Sequence, residues 1–184
     1  MPPTAEISHK STYILGVDFA HMGEDNSAFI VLEKPFTEDT IYVVHIEETS
    51  HKLLTDAINR IQYLDKKFNF RKIYMDYTGL GTGVVDVLRE KLHTSKIEPI
   101  KFTVQSKEDM YSNLKVLFET KRLKIPKHKK LIAQLMDLRY ELMSNKHIKI
   151  HHSDKGHDDL TDSLCLASLY FKPRRKGTYR VIGI

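Results

Sequence analysis

A chain of 184 residues is the size of one domain, and its 41% hydrophobic and 29% charged residues are ordinary for a globular protein with a single core. No apolar run is long enough for a membrane span, and the opening MPPTAEISHK lacks the layout of a secretory signal. The single cysteine, Cys165, excludes an internal disulfide framework or a cysteine-rich zinc site. A net charge of +5 leans toward polyanionic partners. Its distribution says more, because basic residues crowd KRLKIPKHKK at 121–130 and KPRRKGTYR at 172–180 without an acid in either run. Solvated surface is the plain alternative for both runs.

In chain order, TYILGVD at 12–18 predicts a strand that ends on an acid. SAFIVL at 27–32 and IYVVHI at 41–46 are rich in β-branched and aromatic residues and predict antiparallel neighbours of the first strand. The period then changes. Leu54, Ala57, Ile58, Ile61, Leu64 and Phe68 recur at helical spacing after a cap at Ser50. KIYMD at 72–76 is a second short strand ending on an acid, followed by a glycine-rich turn and a helix over 84–92. A strand is expected over 98–104. A helix begins with the capping pattern Ser106-x-x-Asp109, and another covers about 129–143 with Leu131, Leu135, Leu138 and Leu142 on one side. Ile148 and Ile150 alternate with polar residues as in one arm of a hairpin, and a last helix runs from about Asp158 to Phe171. Three strands, then alternating helices and strands, then a closing helix make a mixed α/β order, with a core domain over 12–171, an N-terminal extension over 1–11 and a basic tail over 172–184.

The chemistry concentrates in three places. Asp18 ends the first strand, before a polar turn that contains Asp25. Asp76 ends the second acid-terminated strand, and His157-Asp158-Asp159-x-x-Asp162 opens the last helix. Strand ends and helix starts share one rim of an α/β sheet, and residues three or four apart on a helix share a face. Carboxylates held close together ionise together only when cations neutralise them, and Mg²⁺ or Mn²⁺ suits such oxygen ligands. Two such ions about 3.5–4 Å apart activate a water and stabilise a leaving oxygen in phosphodiester hydrolysis. Each acid also has a plain reading as a turn residue, an N-cap or a complement to the helix dipole. The histidines His147, His151, His152 and His157 do not have the spacing of a metalloprotease helix, and the carboxylate-rich surroundings favour Mg²⁺ or Mn²⁺ over zinc.

These blocks resemble the nuclease domain of the terminase large subunit of tailed phages, within the RNase H-like superfamily. The resemblance is carried by GVDFA at 16–20 with Gly23, Asp25, Ser27, Ala28, Ile30 and Val31. DYTGLGTGVVD at 76–86 and HDDLTDSLCLA at 157–167 carry it further, as does LKIP at 123–126 before an amphipathic helix. It implies an RNase H-like fold, with a central mixed sheet whose first three strands are antiparallel, flanked by helices. It also implies a site with two Mg²⁺ or Mn²⁺ ions that cuts concatemeric viral double-stranded DNA in the host cell cytoplasm. Asp18 and Asp76 carry over directly. For the third acid Asp159 is preferred, related resolvases select Asp159 with Asp162, and Asp158 stands third. Asp25 and His157 would support the ligands from behind, His157 by a hydrogen bond to an aspartate or a phosphate. Lys121, Arg122, Lys124, Lys127, Lys129 and Lys130 are expected to contact DNA phosphates, which positions DNA without reading its sequence. By resemblance the partners are the terminase ATPase domain, the small terminase subunit and the portal. The chain has no G-x-x-x-x-G-K-[ST] motif, so it is expected to be the nuclease part alone.

Three further readings stay open at this level. A junction resolvase would share the metal chemistry but prefer branched DNA. A non-catalytic DNA-binding module would use the aspartates as caps and turns. GVDFA and TGLGTG also bear a superficial likeness to actin-like phosphate loops, but that fold needs two such domains. The turn at 79–83 either cradles a phosphate or crosses tightly from strand to helix, and KHIKIHH at 146–152 is either a hairpin that reaches DNA or an ordinary surface hairpin.

Overall fold

The structure, a computed structural model, describes residue 8 and residues 10–19, 27–49, 54–78, 83–143, 148–151 and 158–172. Strands β1 (Ser11–Asp18), β2 (Ser27–Pro35) and β3 (Ile41–Thr49) form the antiparallel opening of a six-stranded mixed sheet. Beyond helix α1 (Leu54–Phe68), strand β4 (Lys72–Asp76) pairs parallel with β1 on its other side. Helix α2 (Gly83–Lys91) leads to β5 (Ile97–Ile100), which extends that side. Helix α3 (Val104–Glu119) returns the chain to β6 (Leu123–Lys124), paired parallel with β3, so the order is β5-β4-β1-β2-β3-β6. Helix α4 (Lys129–Met136), a two-stranded hairpin of β7 (Arg139–Leu142) and β8 (Ile148–His151), and helix α5 (Asp159–Ser168) complete the fold.

Strand β1 is apolar on both faces because both are covered. Tyr13, Leu15 and Val17 pack with α1 and α2 through Ile61, Leu64 and Leu88, while Ile14 packs with α3 and α5 through Leu114, Leu117 and Leu164. Successive strand residues point to opposite faces, so this alternation gives three layers, helix on sheet on helix. The mixed sheet with an antiparallel opening is the expected architecture.

Several boundaries differ from the sequence reading. Strand β3 continues to Thr49, and α3 begins earlier than Ser106. Its cap is Thr103, whose hydroxyl accepts from Ser106 N at 3.0 Å while Ser106 Oγ accepts from Thr103 N at 2.8 Å. The expected strand over 98–104 is therefore cut short at Ile100. Helix α4 stops at Met136 rather than near 143, and 139–142 is the first arm of the hairpin whose second arm Ile148 and Ile150 indicated. The leucine spacing runs on past the helix, but the backbone N–H of Asp137 closes the last turn onto the Ala133 and Gln134 carbonyls, and strand pairing takes over. The cap at Ser50 and the turn at 79–82 lie outside the described residues.

Candidate metal centre at the strand ends

Strands β1 and β4 run parallel with Val17 beside Met75, so the aspartates that follow, Asp18 and Asp76, end neighbouring strands at the same edge of the sheet. Helix α5 lies across β1 on the opposite face from α1, and its depth is set by Gly16. A Cβ at that position would sit 2.0 Å from the Ser163 carbonyl oxygen and 2.7 Å from Ala167 N, so only glycine lets the helix backbone come down on the strand. Ser163 Oγ donates to the Gly16 carbonyl at 2.8 Å, and the first turn of α5 is thereby delivered to the rim that carries Asp18.

Four carboxylates lie within electrostatic reach of one another there. Burial, followed by the negative charges of Asp162, Asp76 and Asp159, pushes the Asp18 carboxyl well above the usual carboxylate range, with Lys107 opposing. Asp76 is buried and held. Its Oδ1 accepts from Thr78 N at 2.8 Å and from Thr78 Oγ1 at 2.6 Å, and Thr78 Oγ1 in turn accepts from Phe102 N at 2.8 Å. This turn fixes one carboxylate oxygen and ties β4 to the segment beyond β5.

Asp162, also buried, has both oxygens engaged, Oδ2 by Lys107 Nζ at 2.6 Å and Oδ1 by the Tyr111 hydroxyl at 2.7 Å. Burial raises its pKa; the Lys107 ammonium counters this, and Asp158 adds to the rise. Asp158 holds the N-cap position of α5 but its side chain makes no cap hydrogen bond; Oδ2 lies 3.3 Å from Lys107 Nζ instead. The cap reading of Asp158 therefore fails for its side chain. Lys107, on the first turns of α3, escaped the sequence reading, as did Thr78 and Tyr111.

The donor set suits a divalent cation. Asp76, Asp159 and Asp162 act together on the half-buried Asp18 carboxyl, and the Lys107 ammonium opposes them. Hard oxygen ligands in excess of positive charge are what Mg²⁺ and Mn²⁺ neutralise. Among the described residues, no three acidic, histidine or cysteine side chains converge into a ready-made cage. Asp25 and His157 lie outside the described residues, as do His147 and His152.

The basic residues fall into two groups. Lys121 turns α3 into β6 with a positive φ of 55°, and Arg122 donates from Nη2 to Asp39 Oδ1 at 2.9 Å. These lie where Ile41 pairs with Leu123, at the end of β3 away from the acids. Lys130 is paired with Glu48, which stands opposite Ala28, itself opposite Asp18. Seven residues separate Leu123 from Lys130 and Ile41 from Glu48, so 123–130 follows the outer edge of β3 from the far end to the acidic end. Lys124, Lys127, Lys129 and Lys130 are exposed along that course.

Among the described residues no helix is long and apolar enough to cross a membrane. The sequence profile of the terminase RNaseH-like domain family matches residues 15–171. The terminase large subunit of Thermus virus P23-45 is 28% identical to this chain over 158 residues, which cover 84% of this chain and 31% of that protein. The chain thus spans about a third of the length of the curated relatives it matches. In fold it is similar to the large terminase nuclease of the thermophilic phage G20c with bound magnesium, with a TM-score of 0.76 at 23% identity over 89% of this chain and 83% of that one. The large terminase (g2p) nuclease domain of bacteriophage SPP1 with bound Mn gives a TM-score of 0.61 at 16% identity over 91% of this chain and 93% of that one.

Proposed function

Because this chain belongs to the terminase RNaseH-like domain family, we propose that it is a divalent-metal-dependent endodeoxyribonuclease that cuts concatemeric viral double-stranded DNA during packaging. The observation that carries this reading is the gathering of Asp76, Asp159 and Asp162 around Asp18 at one rim of the sheet. Metal-bound nuclease domains among the structural relatives support it. In this proposal Asp18, Asp76 and Asp159 are the residues that would hold two Mg²⁺ or Mn²⁺ ions. When bound, such ions lower the pKa of a water and neutralise charge on the phosphate and the leaving oxygen.

The rest of the work belongs to the protein. Asp18 is presented from a strand buried on both faces, so its position is rigid. Thr78 occupies one oxygen of Asp76, which leaves Oδ2 as the atom to turn to a metal. Docking of α5 at Gly16 brings Asp159 to the same place. The lysines at 124, 127, 129 and 130 are proposed to carry the DNA backbone along the β3 edge toward the acids, while Lys121 and Arg122 belong to the far end. By the same family reading the working partners are the terminase ATPase domain, the small subunit and the portal, in the cytoplasm of the infected host.

The test incubates the chain with supercoiled plasmid in EDTA, Mg²⁺ or Mn²⁺, beside Asp18→Ala. Nicking and linearisation should require metal and disappear in the variant. Cleavage that persists in EDTA or in Asp18→Ala would overturn the assignment.

A further inference from the structure

Lys107 stands in an unfavourable place for a lysine. It lies in the early turns of α3, where the helix dipole repels a cation, and it faces the start of α5, whose first turn carries Asp159 and Asp162. Its side chain is only 24% exposed, its ammonium lies 4.8 Å from the centre of the Phe102 ring, and no acid occupies the first turn of α3 to compensate. What holds it is Asp162 at 2.6 Å and Asp158 at 3.3 Å. Asp162 is in turn fully committed, since the Tyr111 hydroxyl takes its other oxygen at 2.7 Å. The Thr103–Ser106 capping box fixes the turn from which Lys107 projects, so the ammonium is anchored at both ends.

We propose that Lys107 is a resident cation of the metal centre: anchored by Asp158 and Asp162, it competes with metal for the acids and contacts the phosphate of bound DNA. This rests on the nuclease reading and deepens it by dividing the five acids between two jobs. Asp18, Asp76 and Asp159 take the metal, and Asp158 and Asp162 are positioning residues that aim Lys107. Removing the ammonium therefore has opposite effects on two quantities that normally move together. Metal binds more tightly, because a like charge has left its neighbourhood. Cleavage slows, because the phosphate loses an electrostatic partner in a half-buried site where such a partner is strong.

The experiment measures Mn²⁺ affinity by titration calorimetry, cleavage at saturating Mn²⁺, and Tm for the wild type, Lys107→Gln, Lys107→Arg, Asp162→Asn and Asp159→Asn. In Lys107→Gln, Mn²⁺ should bind about tenfold more tightly, as expected for loss of a like charge nearby, while cleavage at saturating metal falls at least about tenfold. Lys107→Arg keeps the charge and should restore most of the cleavage. Asp162→Asn removes a negative charge that acts on Asp18 and should weaken Mn²⁺ binding by no more than about tenfold, whereas Asp159→Asn removes a ligand and should weaken it by on the order of a hundredfold. Weaker Mn²⁺ binding in a folded Lys107→Gln, or unchanged cleavage there, overturns the proposal. If that variant does not fold, loss of Mn²⁺ binding in Asp162→Asn overturns it independently. Wild-type protein that cuts no DNA in any metal sinks the nuclease reading, and the Mn²⁺ titrations still decide the competition between lysine and metal.

Discussion

Substituting Gly16 by alanine tests whether the approach of α5 to β1 governs both stability and the site. The added methyl meets the Ser163 carbonyl oxygen at 2.0 Å, where ordinary contact begins near 3.4 Å, and Ala167 N at 2.7 Å. The shortfall exceeds an ångström, and both atoms are backbone, so no side-chain rotation relieves it; the helix must withdraw. Overpacking of a close-packed core costs about 1–3 kcal/mol, and a clash with backbone on a central strand belongs at the upper end. The Ser163 hydrogen bond to the Gly16 carbonyl weakens as well, which adds about 1 kcal/mol. For a domain of this size each kcal/mol moves Tm by about 2–4 °C, so Gly16→Ala should melt roughly 6–16 °C lower. Asp159 rides on the same helix, and a displacement of about 1 Å can cost on the order of a hundredfold in rate. Thermal melting and plasmid cleavage at a temperature where the variant is folded read the two effects separately. A variant with Tm within a degree or two of wild type and full cleavage would refute the reasoning.

Other consequences are checked in the same way. Thr78→Val removes the hydroxyl shared by Asp76 and Phe102 N; stability should drop by about 1–3 kcal/mol in urea unfolding, and cleavage by about 10–100-fold. At Glu47, burial pulls the pKa upward, but hydrogen bonds from His45 and Arg60 outweigh it and bring it from 4.5 to about 2. The folded value is depressed, so this stabilisation is complete above pH 4.5 and is lost as pH falls toward 2; Glu47→Gln should flatten that part of the urea midpoint against pH. If the lysines at 124, 127, 129 and 130 touch phosphates, each alanine substitution should lower the slope of log affinity against log salt by about 0.9. A slope unchanged in the Lys127→Ala, Lys129→Ala double variant would remove them from the DNA path.

Much of the acidic rim was legible in the sequence because β1 and β4 stop abruptly on an acid after an apolar run, a pattern visible without tertiary contacts. The first turn of α5 was legible for the same reason, through acids three and four apart ahead of a buried stretch. The end of α4 was not. Leu135, Leu138 and Leu142 keep helical spacing across the boundary, and only pairing of Arg139 with His151 decides for a strand. Lys107 could not be singled out among 29 lysines and arginines. Its burial arises from α3 meeting α5, with partners 51 and 55 residues away in the chain. Thr78 had a weaker signal, a hydroxyl two residues after an aspartate, which is an Asx-turn pattern.

The seat of α5 on Gly16 also has a consequence for synthesis. The acids come from the first strand, the fourth strand and the last helix, so a ribosome must make more than 140 residues after Asp18 before Asp159 exists. At about 5–20 residues per second, a nascent chain spends many seconds with its strands present and its acidic rim incomplete. On the proposed reading, a nuclease built in this order would cut no nearby DNA until the helix that completes its site has emerged and docked.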